Sequence, residues 1–110
     1  MNDTYCMVLT TCGSEEAADT LARSIVEQKL GACAQISRIV SHYSWRGTLE
    51  RDTEYRVVIK TRTELYRRLE QCIVDNHDYE VPQIVMVPIT GGLGGYLGWI
   101  DEQTAGGNAT

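Results

Sequence analysis

Two extended segments do most to restrict what this 110-residue chain can fold into. Residues 32–45 and 49–62 are rich in β-branched and aromatic side chains, and the "WRGT" between them supplies a turn through Gly47. Each is more than twice the usual strand length of roughly five or six residues. A paired arm that long must either bend across its own sheet or reach a neighbouring subunit. The arm is therefore a first pointer to oligomerisation.

The flanking segments complete the pattern. "TYCMVLTTC", residues 4–12, reads as a buried strand. Gly13 breaks it, and Ser14 followed by Glu15 and Glu16 suits a helix N-terminus. Ala18, Leu21, Ala22 and Ile25 then recur at the spacing of a buried helical face, with Lys29 in the last turn and Gly31 as the stop. Leu65, Leu69, Cys72 and Ile73 form a similar stripe within a second helix over 63–76. Residues 81–89 read as a fourth strand, whose consecutive apolar "IVMV" implies cover on both faces. "GGLGG", residues 91–95, reads as a mobile connection, since no Lys-Ser/Thr follows the glycines as in a phosphate cradle. "YLGWIDEQ" is a terminal helix or an extra strand.

The order is β-α-β-β-α-β plus a terminal element, an α+β chain of ferredoxin-like arrangement. Two helices on one face of the sheet leave the other bare, a second pointer to a partner chain. Residues 1–103 form a single domain and 104–110 a flexible tail, whose glycines and small side chains bury too little to offset ordering entropy. A net charge of −5 with a pI near 4.9 argues against gripping nucleic acid or an anionic membrane through bulk charge. No apolar run reaches the length of about 20 residues that spans a bilayer, and the N-terminus has no secretory pattern. A cytoplasmic location follows as the expectation, with Cys6, Cys12, Cys33 and Cys72 as thiols. Their spacing contains no C-x-x-C, which leaves a structural zinc site poorly supported.

Among chemistry-bearing residues, Cys12, His77 and a carboxylate such as Glu80 could be gathered by the fold, and thiolate with imidazole suits copper or zinc. The plainer alternative makes Cys12 a small buried hydrophobe and His77 a helix C-terminal residue facing the dipole. Lys60 follows the apolar "RVVI". It is either a snorkelling amine or one half of a Lys–Glu pair lining a small polar pocket. No Ser-His-Asp or Cys-His catalytic arrangement can be assigned.

"TTCGSEEAADTLARSIVEQKLGACAQI", "YSWRGTLERDTEYRVVIKT", "HDYEVPQIVMVPIT" and "YLGWI" together resemble the CutA family of divalent-cation tolerance proteins, over residues 5–101. The resemblance implies a ferredoxin-like subunit in a tight homotrimer like the PII signalling proteins. It also implies a cytoplasmic, non-enzymatic role tied to copper and other divalent ions. It places Cys33, Trp45, Lys60, Tyr79 and Glu80 in a cleft between subunits, and makes His77 and Cys12 the metal ligands, holding Cu2+ weakly. Three positions differ from the family pattern: Gly13 and Asp78 stand where many members have Pro, and Gln83 where they often have Glu. An amide there removes a negative charge and a ligand.

Three further readings stand beside that one. A PII-like sensor trimer would bind a small anionic metabolite in the cleft, with Lys60 supplying charge and Trp45 and Tyr79 the walls. An enzyme would use Glu80 or Tyr79 as acid/base with Lys60 stabilising an anion. A scaffold trimer would only present surfaces to other proteins.

Overall fold

Ser14 opens the first helix as its spacing predicts, its hydroxyl oxygen accepting the Ala17 N–H at 3.1 Å. In the computed structural model, which describes residues 4–107, the elements are β1 (Tyr5–Cys12), α1 (Glu15–Glu27), β2 (Cys33–Trp45), β3 (Thr48–Arg62), α2 (Tyr66–Asp75), β4 (Ile84–Ile89) and α3 (Gly94–Thr104). A single 3-10 turn, Thr63–Leu65, leads into α2. The strands form one antiparallel sheet in the order β2-β3-β1-β4. That is the ferredoxin-like arrangement.

Alternation along the strands sorts the sheet into two faces. Cys6, Val8, Val57 and Ile59 point to α1 and α2 and form the core with Leu21, Ile25, Leu69 and Ile73. Tyr5, Met7, Leu9, Thr11, Glu54, Val58, Lys60, Val85 and Val87 belong by register to the opposite face. That face is not wholly bare, contrary to expectation. α3 roofs one end of it, where Tyr5 donates to Asp101 at 2.7 Å and Arg62 Nε donates to Thr104 Oγ1 at 2.8 Å. Arg62 Nη2 also donates to the Thr104 carbonyl at 3.0 Å, so buried Thr104 belongs to α3 rather than to the expected tail. Of that tail, residues 108–110 lie outside the described residues.

Other boundaries differ for physical reasons. Lys29, at φ 59°, takes the left-handed position after α1, and Leu30 N–H reaches back to Ile25 O at 3.0 Å. Gly31 is needed for packing instead, since a Cβ there would sit 2.4 Å from the Ile59 side chain. Gly94 and Gly95 form the first turn of α3 and are not a loose connection. β4 begins three residues later than expected, at Ile84, and is an edge strand. Cover on both of its faces is absent among the described residues: Val85, Met86 and Val87 are 43%, 40% and 39% exposed. The outer half of the β2–β3 hairpin has no helix against it either, and it exposes Val40, Tyr43, Trp45 and Leu49.

Candidate functional site

The chain between α2 and β4 crosses the end of β1, and a cavity lies on each side of the crossing. On the helix side, about 380 Å3 is lined by residues that include Cys12, Ser14, Thr20, His77 and Asp78. On the open face, a groove of about 570 Å3 is lined by residues that include Tyr43, Trp45, Glu54, Tyr79, Glu80 and Gln83.

His77 holds the crossing in place. Its side chain is 2% exposed and packs edge-on against the Tyr79 ring, with centroids 4.7 Å apart. Nδ1 accepts the Tyr79 backbone N–H at 3.1 Å, and Nε2 lies 2.6 Å from the Thr11 carbonyl oxygen. A carbonyl only accepts, so the ring proton sits on Nε2 and the imidazole is neutral. Both nitrogens are thereby engaged. The expected helix-terminal role is partly met, since His77 N–H reaches Val74 O at 3.4 Å, but the ring itself turns away to β1.

That geometry fits a metal ligand poorly. A metal at either nitrogen would have to break one of the two hydrogen bonds. Burial, with Asp78 and Glu54 nearby, pushes the Cys12 thiol up, which disfavours the thiolate a metal needs. Gln83 lines the groove, on the other side of the crossing from Cys12 and His77. Among the described residues no three His, Cys, Asp or Glu side chains gather as a metal site.

The five expected cleft residues divide into two groups. Trp45, Tyr79 and Glu80 meet at the groove. Cys33 and Lys60 are register partners at the opposite end of the hairpin, twelve residues or about 40 Å along β2 from Trp45. There the Cys33 Sγ lies 3.6 Å from the Tyr96 hydroxyl, and Lys60 donates to Gln35. No Lys–Glu ion pair forms among the described residues. At the groove, Arg46 Nη2 donates to Glu80 at 2.7 and 3.2 Å, and its guanidinium carbon lies 5.4 Å from the Trp45 ring centroid.

Sequence reasoning missed Glu54. It lies in the polar run "LERDTE" of the second extended segment, where nothing sets it apart from its charged neighbours, yet the residue is 8% exposed. The Tyr79 hydroxyl donates to its Oε2 at 2.9 Å. Burial, then this hydrogen bond, raise the Tyr79 phenol far above its ordinary 10.0. The hydrogen bond to Asp52 is the main cause that pushes Tyr43 up to about 12. Only the period-2 register with Val58 and Lys60 hints at the face Glu54 occupies. Nothing in the sequence shows that the crossing segment covers it.

Comparison with known proteins decides the family. Residues 6–103 match the model of the CutA1 divalent ion tolerance protein. The chain belongs to the CutA1 family. It is 39% identical over 99 residues to the divalent-cation tolerance protein CutA of Thermus thermophilus, covering 89% of this chain and 96% of that one. It is 41% identical to the chloroplastic protein CutA of Arabidopsis thaliana over 89% of this chain, but spans only about half, 54%, of that relative. Among solved structures, the periplasmic divalent cation tolerance protein CutA of Archaeoglobus fulgidus superposes with a TM-score of 0.89 at 35% identity, over 91% of this chain and 98% of that one. No helix among the described residues is long and apolar enough to cross a membrane.

Proposed function

We propose that this chain serves divalent-cation tolerance as a non-enzymatic homotrimer, with copper or another divalent ion bound weakly. The family match across residues 6–103 carries the reading. Assembly is supported by surface the single chain leaves uncovered: the β4 edge and the outer half of the β2–β3 hairpin, where Leu49 is 87% exposed. Isolated apolar residues need no partner, but a continuous strip on an edge strand and an unroofed hairpin favours one. A second copy would also bring Cys33 and Lys60 within reach of Trp45, Tyr79 and Glu80, which one chain holds far apart.

The two hydrogen bonds that the His77 ring would have to give up argue against tight binding there, so the weak site is read as one that does not use His77. A reducing compartment such as the cytoplasm suits four free thiols, three of them buried. The words "chloroplastic" and "periplasmic" belong to the relatives that carry them. The anionic-metabolite reading is less well supported, because Glu54 and Glu80 put two carboxylates on the groove wall where an anion would sit.

Light scattering should give about three times the 12.3 kDa chain mass. Expression should restore growth in excess copper to a bacterium lacking its own family member. Calorimetric titration of Cu2+ should show weak binding that is unchanged in His77→Ala. A monomer, or failure to restore growth, contradicts the proposal, and tight binding abolished by His77→Ala contradicts the weak-metal reading.

A further inference from the structure

Beyond the end of β1, where Cys12 pairs with Tyr55, the β2–β3 hairpin continues as an arm only two strands wide. A two-stranded ribbon is marginally stable in water by itself. The segment between α2 and β4 supports the arm through two consecutive residues. The Tyr79 hydroxyl donates to Glu54 Oε2 at 2.9 Å, at the first register pair beyond β1, Ile39 with Glu54. Arg46 Nη2, in the turn at the tip, donates to both oxygens of Glu80 at 2.7 and 3.2 Å. Contacts at the root and the tip of a ribbon fix its direction, which a single contact would not. The Arg46 contact is largely exposed and weak, so most of the hold falls on Tyr79.

Tyr79 is held in turn by His77, whose ring packs against the phenol ring and joins the Tyr79 N–H to the Thr11 carbonyl of β1. Gly13 leaves room for the phenol, since a Cβ there would lie 3.3 Å from the Tyr79 hydroxyl. One line of contacts therefore runs from β1 through His77 and Tyr79 to the root of the arm. The inner end of that line is buried in its own chain, because the His77 side chain is only 2% exposed. His77 can therefore act on a second copy only through the arm.

We propose that residues 77–80 are a brace that holds the hairpin arm in the direction assembly requires, so that His77 governs how firmly copies associate without touching one. The proposal rests on the homotrimer reading and extends it, by assigning control of assembly to a residue outside the interface. A surface already held in its bound direction loses less freedom on association, and such differences show mainly in how slowly subunits separate.

The test follows subunit exchange between unlabelled and nitrogen-15-labelled protein by native mass spectrometry. His77→Phe keeps a ring in the buried space and removes both hydrogen bonds, and Tyr79→Phe removes only the hydroxyl. Leu69→Ala, in the helix layer, is the comparison. Each protein is incubated at the same urea interval below its own unfolding midpoint, so that lost stability alone changes nothing. His77→Phe should exchange at least about tenfold faster than wild type and Tyr79→Phe several-fold faster, while Leu69→Ala keeps the wild-type rate. Amide hydrogen exchange in His77→Phe should rise over residues 39–54 and stay level in β1. The brace is overturned, with the homotrimer left standing, if the assembled His77→Phe exchanges no faster than Leu69→Ala. A monomeric wild type by light scattering overturns the homotrimer reading and the brace together. If His77→Phe does not fold, as judged by near-UV circular dichroism, Tyr79→Phe exchanging at the Leu69→Ala rate overturns the brace alone.

Discussion

The two cavities at the end of β1 lie on opposite sides of the crossing segment and treat their polar groups in opposite ways. On the helix side, His77 has two polar ring atoms and both are matched to backbone partners. On the open face, Glu54 is 8% exposed, and among the described residues its one hydrogen bond comes from the Tyr79 phenol. A fully satisfied polar group fixes local geometry and resists new ligands, whereas a partly satisfied one retains affinity for something absent. The side with the more familiar ligand types, thiol and imidazole, is therefore the more structural of the two. The side that reads as ordinary polar strand is the one with chemistry still available.

Removing His77 should have the largest effect. His77→Ala leaves the Tyr79 N–H and Thr11 carbonyl without their partner and empties a buried ring site. It should cost about 3 kcal/mol in denaturant unfolding, and a loss below about 0.5 kcal/mol would remove the distinction between the two sides. A smaller loss is expected at high pH. The Tyr79 phenol and the Cys12 thiol are both raised above their ordinary 10.0 and 9.0, each chiefly by burial. The folded state therefore holds these protons more tightly than the unfolded state. Their contribution is complete below about pH 9 and declines as the pH rises through the folded values. Melting temperature measured from pH 7 to 11 should stay level and then fall. A rise across that range would contradict the burial assigned to both groups.

Tyr79→Phe removes the one donor to Glu54 and should cost about 1 kcal/mol by urea titration. Glu54→Gln keeps that donor and removes the uncompensated charge, so stability should change by less than about 1 kcal/mol, with a gain the favoured sign. A loss above about 2 kcal/mol would show that Glu54 is already well paired. Arg46→Ala should be the mildest, at most about 0.5 kcal/mol, because both side chains of its ion pair with Glu80 are largely exposed.

Much of this architecture is legible in the sequence because it rests on periodicity. The apolar stripes at Leu21 and Ile25 and at Leu69 and Ile73 place both helices, and the long β-branched segments place the hairpin. Ser14 marks the α1 cap. Features that depend on distant contacts are not legible. Gly31 resembles a helix stop, but its necessity comes from Ile59, nearly thirty residues on. The glycines opening α3 read as loop because the contacts of Tyr5 and Arg62 that hold the helix lie elsewhere in the chain. Trp45, Tyr79 and Glu80 were recoverable from the family resemblance, and the structure brings those three together. Cys33 and Lys60 were part of the same expectation, but the length of the hairpin keeps them apart in one chain. Glu54 was invisible because its burial depends on the segment from Tyr79 to Gln83 folding across the open face.

The central claim is that His77 is a neutral clip across the end of β1 and not a ligand. Nitrogen-15 NMR of the two histidine rings during titration with Zn2+, a diamagnetic substitute for copper, tests it most directly, with His42 as the exposed internal reference. The account predicts that His77 keeps its proton on Nε2 and its ring shifts stay fixed throughout. A zinc-dependent shift of either His77 nitrogen, with His42 unmoved, would contradict it.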